Sequence, residues 1–216
     1  MTPEQINFSI VVIGAWNPSI FSAEWITKNL IEDEDNIGVE IAFPIEDATA
    51  PRRIQFSEFT FFPGRKKLEI TPNSATLEGM QKCSSIVAKI MSLLSHTPVT
   101  DVGINFGFIE TNPSENLNAL FDLNDAPEIL AKYTSSEVNI NRLLKSNDDD
   151  CLLNLNMTEE EDTGAIRLKF NFHFADKGID GIMQLFENEQ VKARYDETIS
   201  VSNSIYNLDL EPELAD

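Results

Sequence analysis

A chain of 216 residues with 42% hydrophobic content is long and apolar enough to bury a core, which excludes general disorder. No apolar run reaches the roughly 20 residues of a membrane helix, and the opening Met1-Thr2-Pro3-Glu4-Gln5 lacks a basic stretch, so neither a membrane span nor a secretory leader is expected. The formal net charge is −20 and is uneven: residues 1–100 hold 12 acids and 8 bases (net −4), residues 101–216 hold 24 acids and 8 bases (net −16). Such a field repels nucleic acid and anionic lipid and attracts a basic partner.

Residues 6–15 read as a strand, stopped by Asn17-Pro18-Ser19 because proline has no amide to donate to a ladder. Ser19 or Ser22 is placed to cap a helix whose apolar side holds Trp25, Ile26 and Leu30. The acidic run Glu32-Asp33-Glu34-Asp35 is a loop, and Val39, Ile41, Phe43 and Ile45 alternate as in a half-buried strand. A turn lies between Pro44 and Pro51. A third strand spans about residues 52–62, and its apolar phase slips from Ile54 and Phe56 to Phe59 and Phe61, which suggests a bulge near Ser57-Glu58. Pro63-Gly64 turns the chain into a strand at 66–71, and a helix at 75–95 carries Leu77, Met80, Val87, Met91 and Leu94 on one stripe.

The second half repeats this order. A strand at 101–110 ends in Asn112-Pro113-Ser114, then come helical turns with Leu117, Leu120 and Phe121 on one face and Pro127 at the start of another turn. Strands follow near 136–144, 151–157 and 164–174, the last with Ile166, Leu168, Phe170, Phe172 and Phe174 on one face. A broken helix runs from about Ile179 past Tyr206, and the tail 209–216 is acidic and frayed. Besides the two Asn-Pro-Ser stops, Lys67-Leu68-Glu69-Ile70 and Gly79-Met80-Gln81 are echoed by Arg167-Leu168-Lys169-Phe170 and Gly181-Ile182-Met183-Gln184.

A period of about 95 to 100 residues suits two fused copies of one β-α-β-β-β-α unit. The expectation is an α+β fold by internal duplication: a first repeat at 1–99 and a second at 100–208, sharing one wide, mostly antiparallel sheet of about eight strands. Two long helices cover one face, and 209–216 is the tail. This order resembles two kinds of duplicated fold, the TATA-binding saddle and fused hot-dog domains. The likeness is one of topology over most of the chain. Saddle proteins are basic and insert Phe into DNA, whereas this chain is acidic, so no functional residue is carried across.

The search for chemistry is mostly negative. Cys83 and Cys151 sit in apolar patterns and read as buried thiols of a reducing, cytoplasmic setting. His96 follows a helix end and His173 lies between two phenylalanines on a strand; both read as structural. No nucleophile elbow, phosphate loop or zinc motif occurs, and Gly103 and Gly107 read as sheet packing, so no catalytic residue, metal or cofactor is expected. For a carboxylate-based enzyme Glu40, Glu58 and Asp101 are the acids to inspect.

Two features point to a protein partner. Asp148, Asp149 and Asp150, and Glu159, Glu160, Glu161 and Asp162, flank one strand as a docking surface for a basic protein, or as a divalent-ion site; the plainer reading is two solvated loops that protect sheet edges. Phe56, Phe59, Phe61 and Phe62 exceed what one core face requires, so some of these rings, Phe59 and Phe61 foremost, are expected to meet a partner or a homodimer mate. Arg52-Arg53 and Arg65-Lys66-Lys67 are either an anion grip or edge-strand charges. The reading is a non-enzymatic acidic adaptor or inhibitor of bacterial or phage type, a nucleic-acid mimic in its sharper form. The alternative is a small-molecule or peptide binder with an apolar cavity between sheet and helices, lined by Phe106, Phe108, Phe170 and Met183.

Overall fold

The computed structural model describes residues 1–31, 39–42, 52–133, 138–145, 150–160, 162–187 and 189–210. The chain opens with β1 (Thr2–Pro3), a 3-10 turn at Gln5–Asn7 and β2 (Ser9–Gly14). Helix α1 (Ala23–Leu30) follows, then β3 (Glu40–Ala42), β4 (Arg53–Gln55), β5 (Phe59–Pro63), β6 (Lys67–Pro72) and the long α2 (Leu77–Leu93). The 12-residue β7 (Val99–Glu110) leads into two short helices, α3 (Glu115–Asn118) and α4 (Ala126–Leu130). Strands β8 (Asn139–Lys145), β9 (Cys151–Glu159) and β10 (Ile166–Phe174) are followed by α5 (Gly178–Glu187) and α6 (Gln190–Tyr206).

All ten strands join one antiparallel sheet in the order β3-β4-β5-β6-β2-β7-β10-β9-β8, with β1 paired to β7. The fold is α+β, as the alternation of strands predicts. One face is packed. Ile10 and Val12, Leu68 and Ile70, Ile104 and Phe106, and Leu168 to Phe174 at every second position are fully or nearly fully buried, as the two-residue period of a strand requires. The rings meet edge to face: Phe8 with Phe106 and Phe108 at 5.5 Å, Phe106 with Tyr195 of α6 at 5.5 Å. Met80, Cys83, Val87 and Ile90 of α2 and Ile182 of α5 close this core, which is one continuous cluster from Phe8 to Leu210.

Helix starts follow the expected chemistry. Ser22 accepts from the Trp25 amide (3.1 Å), Thr76 from Gly79 (3.0 Å) and Ser114 from Leu117 (3.3 Å). The two Asn-Pro-Ser stops therefore differ locally: Ser114 is itself the cap, whereas Ser19 donates its amide to the Asn17 side chain (3.1 Å) and the helix waits for Ser22. The break between α5 and α6 falls at Glu189, whose φ is 52°.

Four expectations are corrected. The phase slip at Ser57-Glu58 is a hairpin, not a bulge: the Phe56 amide bonds the Phe59 carbonyl (2.9 Å), and Gln55 faces Thr60. Phe56, Phe59 and Phe61 are thereby all buried, so β4 and β5 share one core side. Ile41 is exposed, since β3 is the outermost strand on its side; the rest of the expected strand, Phe43 and Ile45, and the turn between Pro44 and Pro51 lie outside the described residues. The tail is anchored where it begins: Asn203 holds Leu210 by two bonds of 2.9 Å, and Leu208 and Leu210 are buried.

Candidate functional site

The unpacked face of the sheet is open. From the register, its positions are Arg53 and Gln55 on β4, Thr60 and Phe62 on β5, and Lys67, Glu69 and Thr71 on β6. They continue through Ser9, Val11 and Ile13 on β2, Asp101, Gly103, Asn105 and Gly107 on β7, and Arg167, Lys169, Asn171 and His173 on β10. Leu152 to Thr158 on β9 and Asn139 to Lys145 on β8 complete it at every second residue.

In the second half this face is a ladder of amides. Asn105 donates to Ser9 Oγ (3.0 Å), Asn171 to Asn105 (2.7 Å) and Asn154 to Asn171 (3.0 Å). One row along, Asn156 donates to Asn141 (2.8 Å), and Thr158 donates to Asn139 (2.6 Å). These are directly opposed cross-strand pairs, each worth a few tenths to about 1 kcal/mol. An asparagine at every second strand position is a signal the sequence carries, in Asn139-x-Asn141 and Asn154-x-Asn156, although it matches no catalytic or ligand-binding motif.

The 3-10 turn stands on this face and divides it. The Glu4 amide bonds the Gly107 carbonyl (2.8 Å), and the Glu4 carboxylate takes hydrogen bonds from Asn7 (2.9 Å) and Arg167 Nε (2.7 Å). A Cβ at Gly107 would collide with Asn7, so the close approach of the turn to β7 requires glycine there. Arg167 also pairs with Glu160, and its two carboxylates, the Glu4 hydrogen bond first, hold the guanidinium above its ordinary pKa. On the first-half side the turn walls a groove of about 420 Å³, floored by β4, β5 and β6 and lined by Gln5, Ile6, Arg53, Gln55, Phe62 and Glu69 among others.

The sequence-derived site residues scatter around this face. Asp148, Asp149 and Glu161 lie outside the described residues. Asp150 is 85% exposed and 3.6 Å from Lys177. Glu159 ends β9, Glu160 bonds Arg167 and Thr163, and Asp162 is exposed in the following turn. The described members of the two runs, Asp150 and Glu159, thus stand at opposite ends of the nine-residue β9, some ~30 Å apart at strand rise, and do not converge. Phe59 and Phe61 are 2% and 0% exposed, a correction to their expected role: both are core rings that no partner reaches. Arg52 ties the loop after β2 to the sheet through the Pro18 and Phe21 carbonyls (2.7 and 2.8 Å), which is a structural task and not an anion grip.

The three acids singled out for catalysis stay apart. Glu40 pairs with Arg53 (3.3 Å), Glu58 with Lys82 (3.2 Å), and Asp101 accepts the Thr100 hydroxyl and lies 3.5 Å from His173. Among the described residues no group of three His, Cys, Asp or Glu side chains is placed to hold a metal ion, and no helix is long and apolar enough to cross a membrane. Phe106, Phe108 and Phe170, named as lining an apolar cavity, are buried in the core between sheet and helices, and Met183 packs against that core. No protein-family model matches the chain, and no curated protein matches it in sequence.

Proposed function

We propose that this chain is a non-enzymatic interaction protein, an adaptor or inhibitor that docks on a basic protein through its acidic periphery. One observation carries this reading: the charge is segregated. The strand positions of the open face hold Arg53, Lys67, Lys145, Arg167 and Lys169 against Glu40, Glu69 and Asp101, with the Glu4 carboxylate of the turn paired to Arg167 on the same face, in a chain whose net charge is −20. Most of the chain's 36 acids therefore lie off the strand positions of this face, Asp150, Glu159 at the end of β9 and Asp162 among them. A field of that kind speeds encounter with a cationic surface and does so most at low salt.

The test uses the purified chain on a biosensor with poly-lysine and poly-glutamate as defined probes, followed by fractionated native lysate. The reading expects a basic protein whose binding weakens as salt rises and falls further in the triple variant Asp150→Asn, Glu159→Gln, Asp162→Asn. If neutralising three acids elsewhere, such as Glu24, Glu78 and Glu128, weakens binding equally, the charge serves solubility alone and the docking reading is lost.

The reading also takes the molecule as two fused copies of one unit, and the strand order supports it. Outward from the central β2–β7 pair the sheet reads β6-β5-β4-β3 on one side and β10-β9-β8 on the other, so three strands on each side correspond and β3 is an addition to the first half; helices follow β2 and β6 in the first half and β7 and β10 in the second. A second function, binding of a small molecule, is favoured by the groove on the open face, on the opposite side of the sheet from the cavity that composition suggested.

A further inference from the structure

We propose that the groove between the 3-10 turn and strands β4–β6 binds a neutral, polyhydroxylated ring, the pyranoside unit of a sugar or glycan. Its volume of about 420 Å³ falls within the ~300–1,000 Å³ of small-molecule sites. Three features of its lining select the ligand. The first is charge. Arg53 and Glu69 are of opposite sign, and each is held by its own partner, Glu40 at 3.3 Å and Lys67 at 2.8 Å. The groove therefore presents no net charge to draw in an anion or a cation.

The second is hydrogen-bonding capacity. The side-chain amides of Gln5 and Gln55 face the groove without a hydrogen-bond partner among the described residues, whereas the second-half asparagines bond one another. An amide offers two donors and an acceptor oxygen, and a hydroxyl both donates and accepts, so vicinal hydroxyls match such groups. The third is the floor. Phe62 is half-buried with its ring lining the groove, and Ile6 at the lip is 86% exposed. An aromatic surface in a polar groove calls for a ligand with one flat apolar face and polar edges, which is the shape of a pyranose ring. An extended peptide fits poorly, because β4, β5 and β6 are interior strands whose backbone groups already serve the ladders.

Saturation-transfer NMR of the full chain tests this, with methyl glucoside, methyl galactoside, methyl mannoside and N-acetylglucosamine as probes, their oligosaccharides as a second arm, and glycyl dipeptides and inorganic phosphate as controls. The proposal expects transfer to the ring C–H protons of at least one sugar. It expects the double variant Gln5→Ala, Gln55→Ala to weaken affinity about ten-fold or more with an unchanged melting temperature, since the two amides, one exposed and one part-buried, hold no hydrogen bond within the described residues. Binding of the monosaccharides alone marks a free sugar; binding of the oligosaccharides alone marks a glycan chain; both support the site. The proposal is overturned if folded protein binds none of them at millimolar concentration. It is equally overturned if dipeptide or phosphate binds as well as sugar, or if sugar binding survives both the glutamine double variant and Phe62→Leu.

Discussion

The two halves of the open sheet face use the same kind of side chain to opposite ends. In the second half, Asn105, Asn171, Asn154, Asn156 and Asn141 lie opposite one another across neighbouring strands and satisfy one another. In the first half, Gln5 and Gln55 hang over a groove with no such partner, beside a half-buried phenylalanine and an ion pair at each end. A flat sheet lets equal-length amides meet in register. Gln55 is in register too, but it faces Glu40, which pairs with Arg53, and Thr60, which bonds Asn73, so its amide has no partner in kind. The lesson is that polar residues on an exposed sheet face are not all alike: those that bond one another belong to the fold, and those left over are the candidates for recognition.

The largest effect should separate the two sides of a single strand. Phe61 is fully buried against Phe21 at 5.1 Å, while its neighbour Phe62 lines the groove. Phe61→Ala should cost about 3–5 kcal/mol in chemical denaturation, the usual price of an emptied aromatic site. Phe62→Ala should cost roughly a third of that or less, because much of its site is open to water. Equal losses would mean that the faces of β5 are not as distinct as the register makes them.

Next in size is the turn that divides the open face. Gly107→Ala drives a methyl group into Asn7 and should cost about 1–3 kcal/mol, as overpacking does. Glu4→Ala removes the carboxylate that joins Asn7 and Arg167 and should cost about 1 kcal/mol, reduced from the full value of a charged hydrogen bond because the Arg167 side chain is part-exposed. Either change should also disturb the groove while leaving the amide ladder intact, which two-dimensional NMR of the side-chain amides resolves.

Much of this architecture is legible in the sequence, and the failures have local causes. The alternation of Ile166 to Phe174 and the stripe on α2 identify the covered face, because burial imposes periods of 2 and 3.6 residues that polar loops do not share. A hairpin at Ser57-Glu58 and a bulge there leave the same trace in the sequence, because both shift the apolar phase, and only pairing distinguishes a strand that bends from one that reverses. Four nearby rings in one extended strand would exceed one core face, which points Phe59 and Phe61 to a partner; folding the segment back on itself gives three of the rings the same face. The groove was not legible at all. It depends on where a three-residue turn lands relative to β6 and β7, which are about 60 and 100 residues further along the chain, and no spacing rule encodes that contact.

The covered side offers a pH test. Burial on the core side of α2 pushes the Cys83 thiol from its ordinary 9.0 up to about 12. Because the folded value is the higher one, the folded state keeps a proton that the unfolded chain gives up above pH 9.0. The contribution is therefore complete below that pH and is lost as pH rises toward 12, at about 1.4 kcal/mol per pH unit. Denaturation at pH 8 and 10 should show a loss of about 1.4 kcal/mol from this thiol, the part that Cys83→Ala removes. Native protein at pH 8 should also resist alkylation at Cys83. A thiol that reacts freely without denaturant would place it outside the core.

The smallest effects carry the sharpest form of the comparison. Asn171 stands at the middle of the ladder, donating to Asn105 and accepting from Asn154. Asn171→Ala severs both bonds at an open face where water replaces part of what is lost, so it should cost about 1 kcal/mol. Gln55→Ala severs none and should leave stability within about 0.5 kcal/mol, as for other surface substitutions away from such networks. The two changes remove the same functional group from the same face of the same sheet. If both prove neutral, the ladder is decoration on a sheet held by its other side. If both prove costly, Gln55 has a structural partner and the groove loses its claim to free amides. Only the unequal result, stability lost at Asn171 and none at Gln55, leaves the first-half amides available for a ligand.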